Sequence, residues 1–338
     1  MKSTMNKLTG RQLSAMLLIS DAFALFCFRG GMSLTTAAGL SAGILLQFIF
    51  ALPLALRRGG LSSGEQGFYA VYYIIWGGML FNMQWDTSGE LYIPYESSGG
   101  MWGKLLISGL IGLVCIYISS VGIKAAARAS LIAAAAGGVC IAIVVFSALR
   151  SPDWGELQRA ESGRNACSEI QRGFAMSGGL GGLAVLLPDV KGKKLHNITG
   201  YFAAKLVLTA SVVITTVLVT GGISDITGFP AVRAAQLSQP FPSQRIDSLF
   251  MIVFTVYAVF SIGIQAASAA YIIGDVFPAA ENYAGAVSIV LMTGAAFMLS
   301  GVSLYSFWTA ALVITALFGV PVIRGICDKI GITEVKDC

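Results

Sequence analysis

Histidine is almost missing from this chain: His196 is the only one among 338 residues. No histidine-based triad or multi-histidine metal site can be assembled from it. The cysteines Cys27, Cys115, Cys140, Cys167, Cys327 and Cys338 include no CxxC pair. Those inside apolar stretches behave as small apolar residues, and Cys167, in a polar stretch, has no evident partner. There is no Walker-type phosphate loop, and the glycines between 178 and 182 do not follow a strand, so they are no dinucleotide fingerprint. Nothing here argues for an enzyme or a cofactor. Charge is scarce as well, at 12% of residues. The net charge of +5 is dispersed in short clusters between apolar spans with no continuous basic face, which argues against nucleic-acid binding.

Apolar sequence is what the chain has. Fifty-six per cent of residues are hydrophobic, and the mean hydropathy is +0.77. Hydropathy predicts ten membrane spans, at about 11–30, 34–57, 66–85, 102–121, 129–149, 170–188, 197–221, 246–275, 281–300 and 302–323. The first apolar segment leads into a second span with no small-residue cleavage site after it, so it does not read as a signal peptide. A cytoplasmic amino terminus puts thirteen of the 22 basic residues on that side, among them Arg11, Arg57, Arg58, Lys124, Arg128, Lys191, Lys193 and Lys194, while Lys205 lies within span seven. Both termini are therefore expected in the cytoplasm. The longest polar segment, 150–172, divides the chain into 1–149 and 173–324, with a tail at 325–338. Five spans on each side put the halves in opposite orientations, as an inverted repeat requires. The fold class expected is all-α integral membrane, a LeuT-like five-plus-five inverted repeat with broken helices 1 and 6, in a single polytopic domain.

Helix-weakening residues concentrate where a membrane helix tolerates them least. Ser177, Gly178, Gly179, Gly181 and Gly182 lie midway along the apolar stretch that ends at Pro188. Each glycine costs roughly 1 kcal/mol of helix propensity, and backbone freed in lipid needs protein or water partners. Interrupted helices of this kind mark solute and ion sites of transporters. Asp21, beside Ser20, falls near the middle of span one. A carboxylate there needs a partner, water or a proton, and reads either as functional or as paired structurally, with Arg29 or a neighbouring helix. In span eight Tyr257, Ser261, Gln265 and Ser268 share one helical face, suited to a cavity or to interhelical hydrogen bonds. Span three offers Tyr72, Tyr73, Trp76 and Asn82, with Gly77 and Gly78 allowing close approach of another backbone. The candidate ligand-binding set is Ser20, Asp21, Tyr73, Trp76, Ser177, Gly178, Gly179, Gly181, Tyr257, Ser261 and Gln265. The segment from Gly228 to Asp247, rich in proline, reads as an ordered loop entering span eight.

Gly122 to Ser130, after span four, resembles the Gly-Ile-x-x-x-Ala-Arg segment of the B subunits of bacterial endospore germinant receptors. Three further segments resemble that family: the broken sixth span ending in Leu187-Pro188 before a lysine-rich turn, the Pro-Phe-Pro-x-x-Arg-Ile-Asp run at 240–247, and the opening Leu8 to Leu13. The resemblance implies a permease of the amino acid, polyamine and organocation superfamily with a pocket bounded by spans one, three, six and eight. It also implies a small germinant, commonly an amino acid, partner A and C subunits, and residence in the bacterial cell membrane or spore inner membrane. The family's sixth span commonly carries a glutamate about seven residues before its proline. Here that position is Gly181, with no acid from Phe174 to Leu187, so that role does not transfer.

Two opened helices facing each other would offer positive amino-terminal ends to a carboxylate and carbonyls to an ammonium or metal cation, which suits a zwitterion. Three functions fit: a germinant-sensing subunit, a secondary amino acid transporter with H+ or Na+ coupling, and a membrane scaffold with a vestigial pocket.

Overall fold

The computed structural model describes residues 8–56, 61–92, 100–150, 165–176, 180–221, 224, 228–238, 247–302 and 305–330. The first half comprises α1 (Gly10–Phe26), α2 (Leu34–Leu56), α3 (Ser63–Tyr92), α4 (Gly100–Val121) and α5 (Ile123–Arg150). The second half opens on two short helices in place of one span, α6 (Ala166–Ala175) and α7 (Leu180–Leu186). It continues with α8 (Lys194–Thr220), α9 (Pro230–Leu237), α10 (Asp247–Val276) and α11 (Ala284–Met298). The last span is α12 (Phe307–Ile314) joined through a π-helical turn at Thr315–Gly319 to α13 (Val320–Ile330).

Length and composition make α2, α5, α8, α10 and the α12–α13 span capable of crossing a membrane. The faces of the outer helices carry exposed Leu45, Ile49, Leu110, Leu113, Ile132, Val139 and Phe146. A surface with that much apolar area needs lipid around it. The chain is an integral membrane protein.

At the centre, α1 packs against α5, α8 and α10. Every residue from Ile19 to Phe26 is buried, as expected of a helix apolar on all sides. A capping box starts it: the Gln12 N–H donates to Thr9 Oγ1 at 3.3 Å, and the Thr9 N–H donates to Gln12 Oε1 at 3.0 Å. The residue before the cap is tied to the far end of the broken span, because the Leu8 N–H donates to Asp189 O (3.1 Å) and the Lys191 N–H to Leu8 O (2.8 Å).

One expectation is corrected here. Helix 1 is not broken at Ser20 and Asp21; α1 runs unbroken through both to Phe26. Residues 11–29 contain neither glycine nor proline, and the charge of Asp21 is met sideways by other side chains, so the backbone has no reason to open. The chain departs only beyond Cys27, and Gly30 takes the positive φ of 91° that follows.

The sixth span does break. Met176 leaves helical geometry with ψ of 82°, and the next described residues, from Leu180, are helical. Ser177, Gly178 and Gly179 lie outside the described residues. The first half-helix is held tightly by α2. A Cβ on Gly39 would lie 2.4 Å from Glu169 Cβ, one on Gly43 2.4 Å from Phe174 N, and one on Gly173 2.5 Å from Leu40 Cα. The two backbones are in contact because small residues line the seam.

Candidate functional site

Two charges sit in the middle of the bundle. Lys205 is the twelfth residue of α8, about 16 Å from its start. Its side chain is 0% exposed, and that of Asp21 is 2% exposed. Lys205 Nζ lies 3.0 Å from Asp21 Oδ1, 3.0 Å from Gln47 Oε1 and 2.9 Å from Met176 O. An ammonium has three protons, and each has an acceptor. Tyr201, one turn earlier on the same face of α8, donates its phenolic O–H to the other carboxylate oxygen, Asp21 Oδ2. An unpaired charge at this depth would cost several kcal/mol. The pairing explains how both groups are tolerated.

The same cluster finishes the broken helix. The last carbonyls of a half-helix have no intrahelical donors. The two N–H groups of Gln47 Nε2 are shared among Gly173 O (3.1 Å), Phe174 O (2.5 Å) and Met176 O (3.3 Å), and Lys205 supplies its ammonium to Met176 O. A cation at a helix carboxyl end is also favoured by the macrodipole. The span is interrupted and its severed end is satisfied by α2 and α8, with Asp21 of α1 balancing the charge.

Because Tyr201 donates to a buried carboxylate, its removal reads the strength of the cluster. Tyr201→Phe deletes one hydrogen bond to a charged acceptor, worth about 1.5–3 kcal/mol. The expected loss is of that size in a denaturant titration monitored by tryptophan fluorescence, with little change in helix content.

A second group lies across α3, α7 and α10. Tyr72 and Trp76 stack in parallel, with ring centroids 5.8 Å apart and 5° between planes. A Cβ on Gly181 would lie 2.2 Å from the Tyr72 ring. The ring therefore occupies the space that a glutamate at 181 would need, which is the physical content of the missing acid. Tyr73 faces Ser268 of α10. Ser261 donates to Tyr257 O at 2.6 Å and lies 3.4 Å from Ile19 O on α1. Among these fully buried side chains, Ser20 Oγ and Trp76 Nε1 have no hydrogen-bond partner.

The candidate residues thus separate into three sets. Asp21 joins the charged cluster. Ser20, Tyr73, Trp76, Gly181, Ser261 and Gln265 are buried on α1, α3, α7 and α10, helices that contact one another around the broken span. Tyr257 stands apart: its ring stacks on Phe26 at 6.0 Å, and its hydroxyl fits against Gly137 of α5, where a Cβ would lie 1.8 Å away. Asp21 does not pair with Arg29, whose partner is Asp86 at 3.1 Å near the end of α3. Sequence reading passed over Lys205, Gln47 and Tyr201 as site residues. The usable signal was Lys205 itself, a cation mid-span and as anomalous as Asp21.

An ion pair stands at each end of the bundle. At the end where α1 stops, Arg29 and Asp86 pair beneath Phe229, whose ring lies 5.1 Å from the Arg29 guanidinium. A cavity of about 130 Å³ lined by Cys27, Arg29, Asn82, Asp86, Phe229 and Tyr305 opens there. At the end where α1 starts, Arg324 of α13 pairs with Glu65 of α3, and Gln66 Nε2 donates to Asp275 Oδ2 at 2.5 Å.

No protein-family model matches the chain, and no curated protein matches it. Its fold does match solved structures. Mhp1, a nucleobase-cation-symport-1 family transporter captured in a closed conformation with bromovinylhydantoin bound, superposes with a TM-score of 0.60 at 15% identity, covering 94% of this chain and 77% of that one. The inward-facing conformation of Mhp1 gives a TM-score of 0.54 at 15% identity, covering 93% of this chain and 78% of that one. The chain has the all-α, LeuT-like fold, with ten spans in five-plus-five arrangement.

Proposed function

We propose that this protein is a secondary transporter that binds a small polar solute of no net charge beside the break in its sixth span and carries it across the membrane. The observation that supports this is the buried, charge-balanced break itself. Met176 ends one half-helix, Lys205 and Asp21 cancel there, and Ser20, next to Asp21 on α1, and Trp76 on α3 keep buried donors without acceptors. A balanced pair leaves no charge for a solute ion to neutralise, so a zwitterionic amino acid or a neutral solute with hydrogen-bond acceptors fits best. The stacked Tyr72 and Trp76 rings offer an apolar wall.

Proteoliposomes containing the protein are expected to accumulate a labelled amino acid or small neutral solute from a panel, with uptake that saturates. Trp76→Phe removes one donor to the solute while keeping the aromatic wall. It should weaken binding about tenfold, the equivalent of one hydrogen bond near 1.4 kcal/mol, as read by equilibrium binding. Saturable flux in no member of the panel would defeat the transporter reading.

The second reading is the germinant-sensing subunit, favoured by the segments at 122–130 and 240–247 and by the lysine-rich turn after Pro188. There, binding would shift the helix bundle between states and pass the change to A and C subunits, which requires unequal affinity for the two states. Solute binding without flux, together with co-purification of those subunits, would select it. In either reading the cytoplasmic placement of both termini and the division at 150–172 are part of the proposal.

A further inference from the structure

The acceptors that surround the Lys205 ammonium are all oxygens, from three different chemical groups: a carboxylate on α1, a side-chain amide on α2 and the terminal backbone carbonyl of the half-helix α6. Hard cations take this kind of oxygen set, and half-helix carboxyl ends are where transporters hold coupling ions. The chain has filled the position from within. Lys205 reaches it from α8, fully buried, with every proton used and its charge cancelled by Asp21.

We propose that Lys205 is a tethered cation that takes the place of a dissolved alkali ion, so that the closed arrangement of α1, α2, α6 and α8 forms without sodium or potassium. The consequence for transport rests on the solute-carrier reading given above; the cation position itself does not. An ion that can leave would link the state of these four helices to salt. An ammonium on a side chain cannot leave, so it holds the four helices together whatever the salt outside. Driving force from a sodium gradient is thereby removed from this position.

Truncating the tether tests the assignment without any solute. Lys205→Ala leaves the Asp21 carboxylate, the Gln47 amide oxygen and the Met176 carbonyl around an emptied space of ammonium size. Wild-type protein and Lys205→Ala are purified in parallel in sodium, potassium, ammonium or choline chloride at equal ionic strength, and thermal unfolding is followed in each.

The wild type is expected to unfold at the same temperature in all four salts. Lys205→Ala is expected to be stabilised by at least one small cation over choline, in a saturable way. At about ten times the cation's Kd the folded-to-unfolded ratio rises about tenfold. Lys205→Ala/Asp21→Asn, which removes the carboxylate, should lose that dependence. A wild type that needs sodium to stay folded overturns the proposal, and so does a folded Lys205→Ala indifferent to all cations. Recovery of folded Lys205→Ala from small-cation buffers but not from choline supports it; recovery from none of them counts against it. Absence of solute flux bears on the transporter reading and leaves these outcomes unchanged.

Discussion

Asp21→Ala is expected to destabilise the protein by about 3–5 kcal/mol, because it strands the Lys205 ammonium in the dry centre of the bundle. The pair is 3.0 Å apart with both side chains buried, and Tyr201 loses its acceptor in the same step. Two acceptors of Lys205 survive, Gln47 Oε1 and Met176 O, and neither carries a charge to set against the ammonium. Replacing both members with uncharged side chains of similar volume, Asp21→Asn with Lys205→Met, should recover most of the loss, since a buried pair stabilises little relative to an apolar replacement. Unfolding measurements on the wild type, Asp21→Asn, Lys205→Met and the double variant form a double-mutant cycle, and the coupling energy expected is several kcal/mol. Additive losses would mean that the two residues do not act as a pair. The double variant also separates architecture from binding. If it folds but no longer binds solute, the pair belongs to the site as well as to the scaffold.

What the sequence made legible depended on whether the governing interaction is local. Each of the ten spans is visible as an apolar run, and the observed helices overlap the expected ones, closely in α2 at Leu34–Leu56 against 34–57 and less so in α3, which runs to Tyr92 against 85. The glycines from 178 to 182 pointed to a break because glycine weakens helix, but the departure from helix begins at Met176 and Gly181 and Gly182 are helical in α7. Asp21 marked a special position, yet its partner could not be read. Lys205 lies 184 residues away, and although its mid-span place is visible, nothing local says that Asp21 meets it and not Arg29. The supposed break at Asp21 failed for a related reason. A carboxylate in lipid needs compensation, but two side chains on α8 supply it as well as unwound backbone would, and no glycine or proline weakens that stretch.

Gly181 gives the absent acid a physical reason that the sequence did not hold: packing fills the place with the Tyr72 ring. Tyr257 shows the limit of helical periodicity. It shares a face with Ser261 on the helical wheel, but the direction of its ring toward Gly137 depends on a glycine in another helix.

The seam between α2 and α6 carries the second large effect. Gly39, Gly43 and Gln47 recur every fourth residue and so form one stripe along α2. The two glycines bring the backbones together, and that closeness lets Gln47 reach the carbonyls of Gly173, Phe174 and Met176. At Gly43 a Cβ would lie 2.4 Å from Phe174 N and 2.6 Å from both Gly173 C and Ile170 O. All three are backbone atoms, which cannot swing aside as a side chain could. Gly43→Val must therefore push α6 away from α2. Overpacking of this sort costs about 1–3 kcal/mol, and each Gln47 hydrogen bond lost adds about 1 kcal/mol, so a loss of about 3 kcal/mol or more is expected. Gly138→Ala is the matched control, since nothing lies within 4 Å of a Cβ there and alanine favours the helix by up to about 1 kcal/mol. It should unfold at the wild-type temperature or above it. If Gly43→Val were as stable as Gly138→Ala, the two backbones would not be in contact. Gln47 would then not be holding the severed end of the sixth span, and the route from α2 through the break to Lys205 would have to be given up.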